Sequence, residues 1–184
     1  MLKPITQVGI LFFIFLFMER KHVVKIFVVF LFCAFSMSVN AQNTFSKGDK
    51  VVNLGIGLGN TYSGSAALPI SGSFEYGIKD NLFDDKSSIG VGAYFGAAFS
   101  KGYTFLYPGV RGALHYQFVD KLDTYAGLML GARIWTWSGY NGTYTDFIVP
   151  FYIGGRYYFT ENIAAFAELG YGIAVLQLGV SFKF

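Results

Sequence analysis

The last nine residues, Leu176-Gln177-Leu178-Gly179-Val180-Ser181-Phe182-Lys183-Phe184, carry an apolar side chain at every second position and a small or polar one between. Period two is the mark of a β-strand with one oily and one polar face. The pattern recurs upstream. Val52, Leu54, Ile56 and Leu58 share one parity, as do Ile89, Val91, Ala93, Phe95, Ala97 and Phe99, and again Leu128, Leu130, Ala132 and Ile134. Eight strands are predicted, over about 50–59, 69–78, 88–100, 106–118, 123–136, 147–158, 163–172 and 175–184.

The opposite parity holds Gly, Ser, Tyr and nearly every strand charge. Glu75, Arg111, Arg133, Arg156, Glu168 and Lys183 fall there, with His115 and Gln177. A soluble barrel would turn the apolar parity inward and show the other to water. That outer face would then be mostly Gly, Ser, Ala and Tyr, whereas a soluble surface is typically about a quarter or more charged. The inverted arrangement fits better, because an Arg facing lipid near the midplane costs about 2–4 kcal/mol and is better enclosed. Backbone groups in lipid must also be satisfied internally, which strands achieve only by closing. The expected fold class is therefore all-β: an eight-stranded antiparallel up-and-down transmembrane β-barrel.

Pro69, Pro108 and Pro150 each stand near the predicted start of an even-numbered strand, where a missing N–H is tolerated. They mark one rim, expected to be extracellular, with loops at about 60–68, 101–105 and 137–146 and a tight last turn near Ile173-Ala174. Turns at 79–87, 119–122 and 159–162 would be periplasmic. Aromatic residues gather at the predicted strand ends, as in interfacial girdles: Trp135, Trp137, Tyr140 and Tyr144 at the outer rim, and Tyr116, Phe118, Tyr157 and Phe159, with Phe182 and Phe184, at the inner one.

Residues 1–41 read as a cleavable signal peptide. Met18-Glu19-Arg20-Lys21-His22 is a charged start, Ile26 to Phe35 an apolar core and Val39-Asn40-Ala41 a small-residue cleavage signal. The second greasy stretch upstream makes Met18 the expected initiator. The barrel would then occupy residues 42–184. The leader takes with it Lys3, Arg20, Lys21, Lys25 and Glu19, so ten basic and ten acidic residues remain and the mature chain is formally neutral. The basic pI therefore implies no nucleic-acid partner. Cys33, the only cysteine of the 184 residues, also lies in the leader, which leaves the barrel without disulfide or thiol chemistry.

The candidate chemistry is an enclosed polar network of Glu75, Arg111, His115, Arg133, Arg156, Glu168 and Lys183, with glycines such as Gly90, Gly92 and Gly127 making room for long side chains. A hairpin folded about Asn162 would set Arg156 opposite Glu168 as a charge-assisted pair. One reading has the network plug and register the barrel, leaving a structural or surface-interaction role. A second has surplus Arg lining a narrow channel or a carrier for small apolar or anionic solutes. A third is a lipid-modifying enzyme built on His115, the only histidine after the leader, but a packed or hydrogen-bonded role is expected for it. The chain has no phosphate loop, nucleophile motif or metal-ligand cluster, so neither enzyme activity nor a cofactor or metal is expected.

Gly154-Gly155-Arg156-Tyr157-Tyr158-Phe159, Glu168-Leu169-Gly170-Tyr171-Gly172 and Leu178-Gly179-Val180-Ser181-Phe182-Lys183-Phe184 resemble segments of the small outer-membrane β-barrel domain proteins, porin-like relatives of the OmpA-type and opacity-type barrels. The resemblance is close over about the last 35 residues and general over the mature chain. It implies eight antiparallel strands, residence in the Gram-negative outer membrane as a monomer among its lipids, and often no assigned biochemical activity. It also implies insertion by the barrel-assembly machinery through a terminal aromatic signal, here Phe182 and Phe184. The chain departs from full-length OmpA in having no domain after the barrel, so peptidoglycan tethering is not implied.

Overall fold

A computed structural model describes residues 44–60, 68–100, 102–137, 139 and 142–184. The expected signal peptide with Met18 and Cys33, the segment 61–67 of the first predicted loop, and Tyr140 lie outside the described residues.

Every described regular element is a strand: β1 (Lys50–Asn60), β2 (Ile70–Asp80), β3 (Ser87–Ser100), β4 (Tyr103–Val119), β5 (Leu122–Trp137), β6 (Thr143–Ile148), β7 (Phe151–Tyr158), β8 (Ile163–Gly170) and β9 (Ala174–Lys183). Each pairs antiparallel with its neighbour in the chain, except that β5 pairs with both β6 and β7. β1 closes on β9, so the sheet has no first or last strand. β6 and β7 are two halves of one barrel strand, and the wall is eight-stranded.

The closure has a measurable pitch. The register runs Thr124, Gly155, Ala167, Leu178, Ile56, Ile70, Ala97, Leu106 and Ile134, returning to β5 ten residues further along. A shear of this size on eight strands tilts them about 40° and leaves an interior just wide enough for side chains to fill.

The alternation places apolar residues outside. Val110 is 60 % exposed, Leu128 53 % and Phe95 52 %, with Leu54, Ile70, Phe74, Ile153 and Val180 exposed around the same band. No outward position between Leu106 and Phe118, Leu122 and Thr136, or Ile163 and Leu169 carries a charge. Glu75, Arg111, His115, Arg156 and Glu168 are all buried on the inward parity.

Three local expectations are corrected. The sixth strand begins at Thr143 instead of 147 and is broken at Val149-Pro150, because a proline N cannot join the ladder. Pro108 does not open strand four, which starts at Tyr103; the β4–β5 ladder instead skips Tyr107 and Pro108. The expected loop at 101–105 is a tight hairpin in which Ser100 pairs with Tyr103 and Gly102 takes φ 81°, a conformation that glycine adopts without strain. The turn between β8 and β9 falls where the parity switch put it, with Ile173 folded into the interior and fully buried.

A feature without periodicity completes the terminal end, the rim that carries the carboxy-terminus. Residues 44–49 cross beneath the barrel and enter it. The Thr44 N–H donates to Gln117 Oε1 at 2.7 Å, and Ser88 Oγ donates to the Phe45 carbonyl at 3.0 Å. The Gly48 N–H donates to the Gly77 carbonyl and the Gly77 N–H to that of Asp49, both at 2.9 Å. Phe45 is 4 % exposed and stacks on the His115 ring at 4.1 Å between centroids.

Candidate functional site

The interior is organised in layers. Nearest the terminal end, four charged groups from four strands form a closed ring. Glu75 Oε1 on β2 meets His115 Nε2 on β4 at 3.0 Å, and His115 Nδ1 meets Asp123 Oδ1 on β5 at 2.9 Å. Arg156 on β7 donates from Nη1 to Asp123 Oδ2 at 2.9 Å and from Nη2 to Glu75 Oε2. β2 and β7 lie on opposite walls, four strands apart either way round, so the Arg156–Glu75 pair spans the lumen. An ionised carboxylate only accepts, so Nδ1 and Nε2, each facing one, must both donate, which calls for the imidazolium form. The ring is then two positive against two negative, with the Arg156 guanidinium between the carboxylates.

The next layer is built on Arg111 and Glu168, whose Nη2 and Oε2 lie 2.7 Å apart. Arg111 Nε donates to Tyr152 Oη at 3.0 Å, and its guanidinium carbon lies 3.9 Å from that ring's centroid. Tyr125 Oη donates to Glu168 Oε2 at 3.2 Å, and Tyr94 Oη donates to Gln177 Oε1 at 3.0 Å. The wall makes room for these side chains by omission. A Cβ on Gly127 would lie 2.5 Å from Tyr152 Oη, and one on Gly90 would lie 3.0 Å from both Glu75 and Phe45. Beyond this layer the contents turn apolar, with Ala98, Phe105, Tyr107, Met129, Ile173 and Ala174 in one buried cluster.

Five of the seven expected network residues are thus brought together, though not as expected. Arg156 does not face Glu168: the turn at 159–162 is centred one residue earlier than Asn162, so Phe166 is opposite Arg156 and Glu168 is opposite Gly154. Thr160 Oγ1, accepting from the Asn162 and Ile163 N–H groups, fixes that centre. A slip of two residues keeps parity, so both side chains still point inward. Arg133 stands apart at the far rim, bonded through Nε (3.2 Å) and Nη2 (2.7 Å) to Asp146 Oδ2, with side chains 33 % and 49 % exposed. Lys183 sits at the terminal mouth, 3.3 Å from the Thr44 carbonyl and 3.9 Å from Asp49. Asp123, 1 % exposed and central to the ring, was missed. Its signal was available, since it shares its parity with Tyr125, Gly127 and Arg133.

Every buried Arg of the network faces a carboxylate, so the surplus of lumen positive charge on which the alternative channel reading draws is absent among the described residues.

Of the expected girdle, Tyr116, Phe118, Tyr157 and Phe159 face outward near the terminal rim, where Phe118 and Phe159 are more than 60 % exposed. Tyr116 Oη donates to Asp84 Oδ2 at 2.8 Å, and that hydrogen bond holds the Asp84 carboxyl below its ordinary range. Trp135 and Trp137 are corrected: they share the parity of Arg133 and face the barrel axis at the far end, where Trp135 stacks on Tyr144 and Trp137 on Tyr103. Among the described residues, the outward aromatics of that end include Phe99, Phe147, Phe151 and Tyr171. Phe182 lies in the closing strand β9, and Phe184 follows its last residue. Phe184 is 74 % exposed, and its N–H donates to the Lys50 carbonyl at 2.9 Å.

No protein-family model matches the chain, and no curated protein matches it in sequence. Solved structures do match in fold. The N-terminal β-barrel domain of Pseudomonas aeruginosa OprF is similar at TM-score 0.57 and 18% identity, over 76% of this chain and 100% of that one. A de novo designed transmembrane β-barrel has TM-score 0.48 and 18% identity over 76% and 98% of the two chains. Ail, the attachment invasion locus protein of Yersinia pestis, has TM-score 0.47 and 13% identity over 75% and 99%. The chain therefore has the fold of the small eight-stranded outer-membrane β-barrels, a class already evident in its closed wall and apolar exterior. A wall of that kind, with its apolar side chains outside and its charges enclosed, is built to span a lipid bilayer.

Proposed function

We propose that the protein is a sealed outer-membrane barrel: a scaffold that spans the lipid, blocks its own lumen and acts through what its far rim presents. The observation that carries this reading is the ring of Glu75, His115, Asp123 and Arg156, which crosses the interior and is backed by Phe45 on one side and the Arg111–Glu168 layer on the other. Opening a path for solutes would expose paired buried charges and part them, and removing one partner of such a pair costs about 3–5 kcal/mol. His115 has both ring nitrogens engaged by carboxylates, which leaves none to activate a hydroxyl, and this argues against a lipid-modifying enzyme. Assembly through Phe182 and Phe184, a monomeric state and an extracellular far rim complete the proposal.

Planar-bilayer recording tests it. The wild-type barrel is expected to show no discrete conductance. Reproducible steps that change with Arg111→Ala would reject the seal in favour of a channel.

A further inference from the structure

The barrel wall is notched at its far end. β7 pairs with β5 only as far as Leu128 and β8 stops at Gly170, whereas β6 continues beside β5 to Thr143. On the side of β8, the last backbone bond runs from the Tyr171 N–H to the Phe151 carbonyl at 3.3 Å. On the side of β5, the Met129 N–H donates to the Pro150 carbonyl at 2.9 Å, so even-numbered residues turn their backbone groups to β5 and odd-numbered ones turn them away. By that alternation the N–H and C=O groups of Thr143, Thr145, Phe147 and Val149 line an edge that no described strand pairs.

The edge lies at a defined depth. Phe147 and Tyr157 both face outward on the barrel strand that β6 and β7 share. At about 2.5 Å of axial rise per residue in a strand tilted about 40°, they stand about 25 Å apart, which is the height of the apolar band of an outer-membrane barrel. Tyr157 belongs to the girdle at the terminal rim, so Phe147 marks the far interface, with Val149 inside the hydrocarbon and the turn after β8 deeper still. Backbone groups in lipid must find a partner. The outward residues that flank the notch, Phe147, Val149, Phe151 and Tyr171, are exposed and uncharged. At its foot, between Pro150 and Gly170, opens a recess lined by Met129 and Tyr152, with room for about one water-sized group.

We infer that this notch binds a membrane lipid whose acyl chain is amide-linked and lies beside a hydroxyl. Its surface is continuous with the lipid-facing wall, which makes a lipid of the same leaflet the occupant within reach. An edge of alternating N–H and C=O groups needs a partner that both donates and accepts. Ester carbonyls only accept, whereas an amide N–H and a hydroxyl donate as well. The acyl chain lies on Phe147, Val149 and Tyr171, and the hydroxyl enters the recess. Because the flanking residues are uncharged, the part recognised is the neutral amide region and not a phosphate. The inference names what the far rim engages and rests on the rim reading proposed above, but it needs no seal.

The experiment uses the full mature barrel in a polyoxyethylene detergent, titrated with ceramide or with a diacylglycerol of matched chain length and read by native mass spectrometry. The diacylglycerol has esters where ceramide has its amide. Ceramide is expected to form a saturable one-to-one adduct at least tenfold tighter than the diacylglycerol does. Phe147→Pro removes one N–H from the open edge and leaves the β5–β6 ladder intact, so it should weaken the ceramide adduct tenfold or more, whereas Phe147→Leu, which keeps the N–H, should not. Thr145→Pro makes the same test at the next open position should Phe147→Pro lose the heat-modifiable gel shift of a folded barrel. Absence of a ceramide adduct, equal adducts of the two lipids, or undiminished binding by a folded proline variant overturns the inference. A dimer or a copurifying peptide that the proline variant releases gives the edge to another occupant and overturns it too. Conductance plays no part in the readout, so failure here is distinct from failure of the seal.

Discussion

Asp123→Asn probes the ring with almost no change of shape. Asp123 accepts from His115 Nδ1 and Arg156 Nη1, each at 2.9 Å, and is 1 % exposed. The amide that replaces it keeps one acceptor oxygen and turns an NH2 toward the other donor, so one charge-assisted bond worth about 1.5–3 kcal/mol is lost and two donors meet. The ring is also left one negative charge short in a dry interior, a defect that brings the total to about 3–5 kcal/mol. Urea titration of the refolded barrel in phosphatidylcholine vesicles, followed by tryptophan emission, measures the loss at unchanged slope. Asp146→Asn is the internal control. It removes the same group from an ion pair whose partners are 33 % and 49 % exposed, where about 0–1 kcal/mol is expected. If Asp123→Asn costs no more than Asp146→Asn, the ring contributes nothing that burial predicts and the reasoning fails.

Replacing all four ring residues with apolar ones of similar volume should be tolerated far better than Asp123→Asn alone, because no charge is then left unpaired; the same urea titration compares them. Phe45→Ala deletes the buried ring that anchors residues 44–49 to His115, so trypsin should cut after Lys47 in an otherwise folded barrel; resistance equal to wild type would contradict the anchoring. A Cβ on Gly92 would stand 1.8 Å from the Phe74 carbonyl, whereas one on Gly72 meets nothing closer than 3.7 Å; Gly92→Ala should therefore fail the heat-modifiable gel shift while Gly72→Ala passes it.

The wall was legible because its chemistry repeats every second residue. Lipid outside and a narrow lumen inside impose opposite demands on the two parities, so Leu54, Val91 and Leu128 could be set outward and Glu75, Arg111, His115, Arg156 and Glu168 inward without knowing any contact. Partners were less legible. Parity says which way a side chain points, whereas pairing depends on register and shear, and one residue's error in the centre of the 159–162 turn moved Arg156 away from Glu168. Aromatic content alone points Trp135 and Trp137 to an interfacial girdle, whereas their parity, shared with Arg133, points them inward, and parity decides. Asp123 stands at the first position of the predicted fifth strand, where the alternation has too few residues before it to assign a face. Residues 44–49 have no period at all. They are held by hydrogen bonds to Gln117, Ser88 and Gly77, contacts that only the closed barrel brings within reach.

The central claim is that the apolar parity meets acyl chains and the polar parity is enclosed. Because the chain has no cysteine after Cys33, single cysteines along β4 can be spin-labelled without background and read for oxygen accessibility in bilayers. Positions 106, 110, 112 and 114 should be oxygen-accessible and 107, 109, 111 and 113 shielded, with period two along the strand. High accessibility at 111 and 113 with shielding at 110 and 114, or no alternation, would contradict the account.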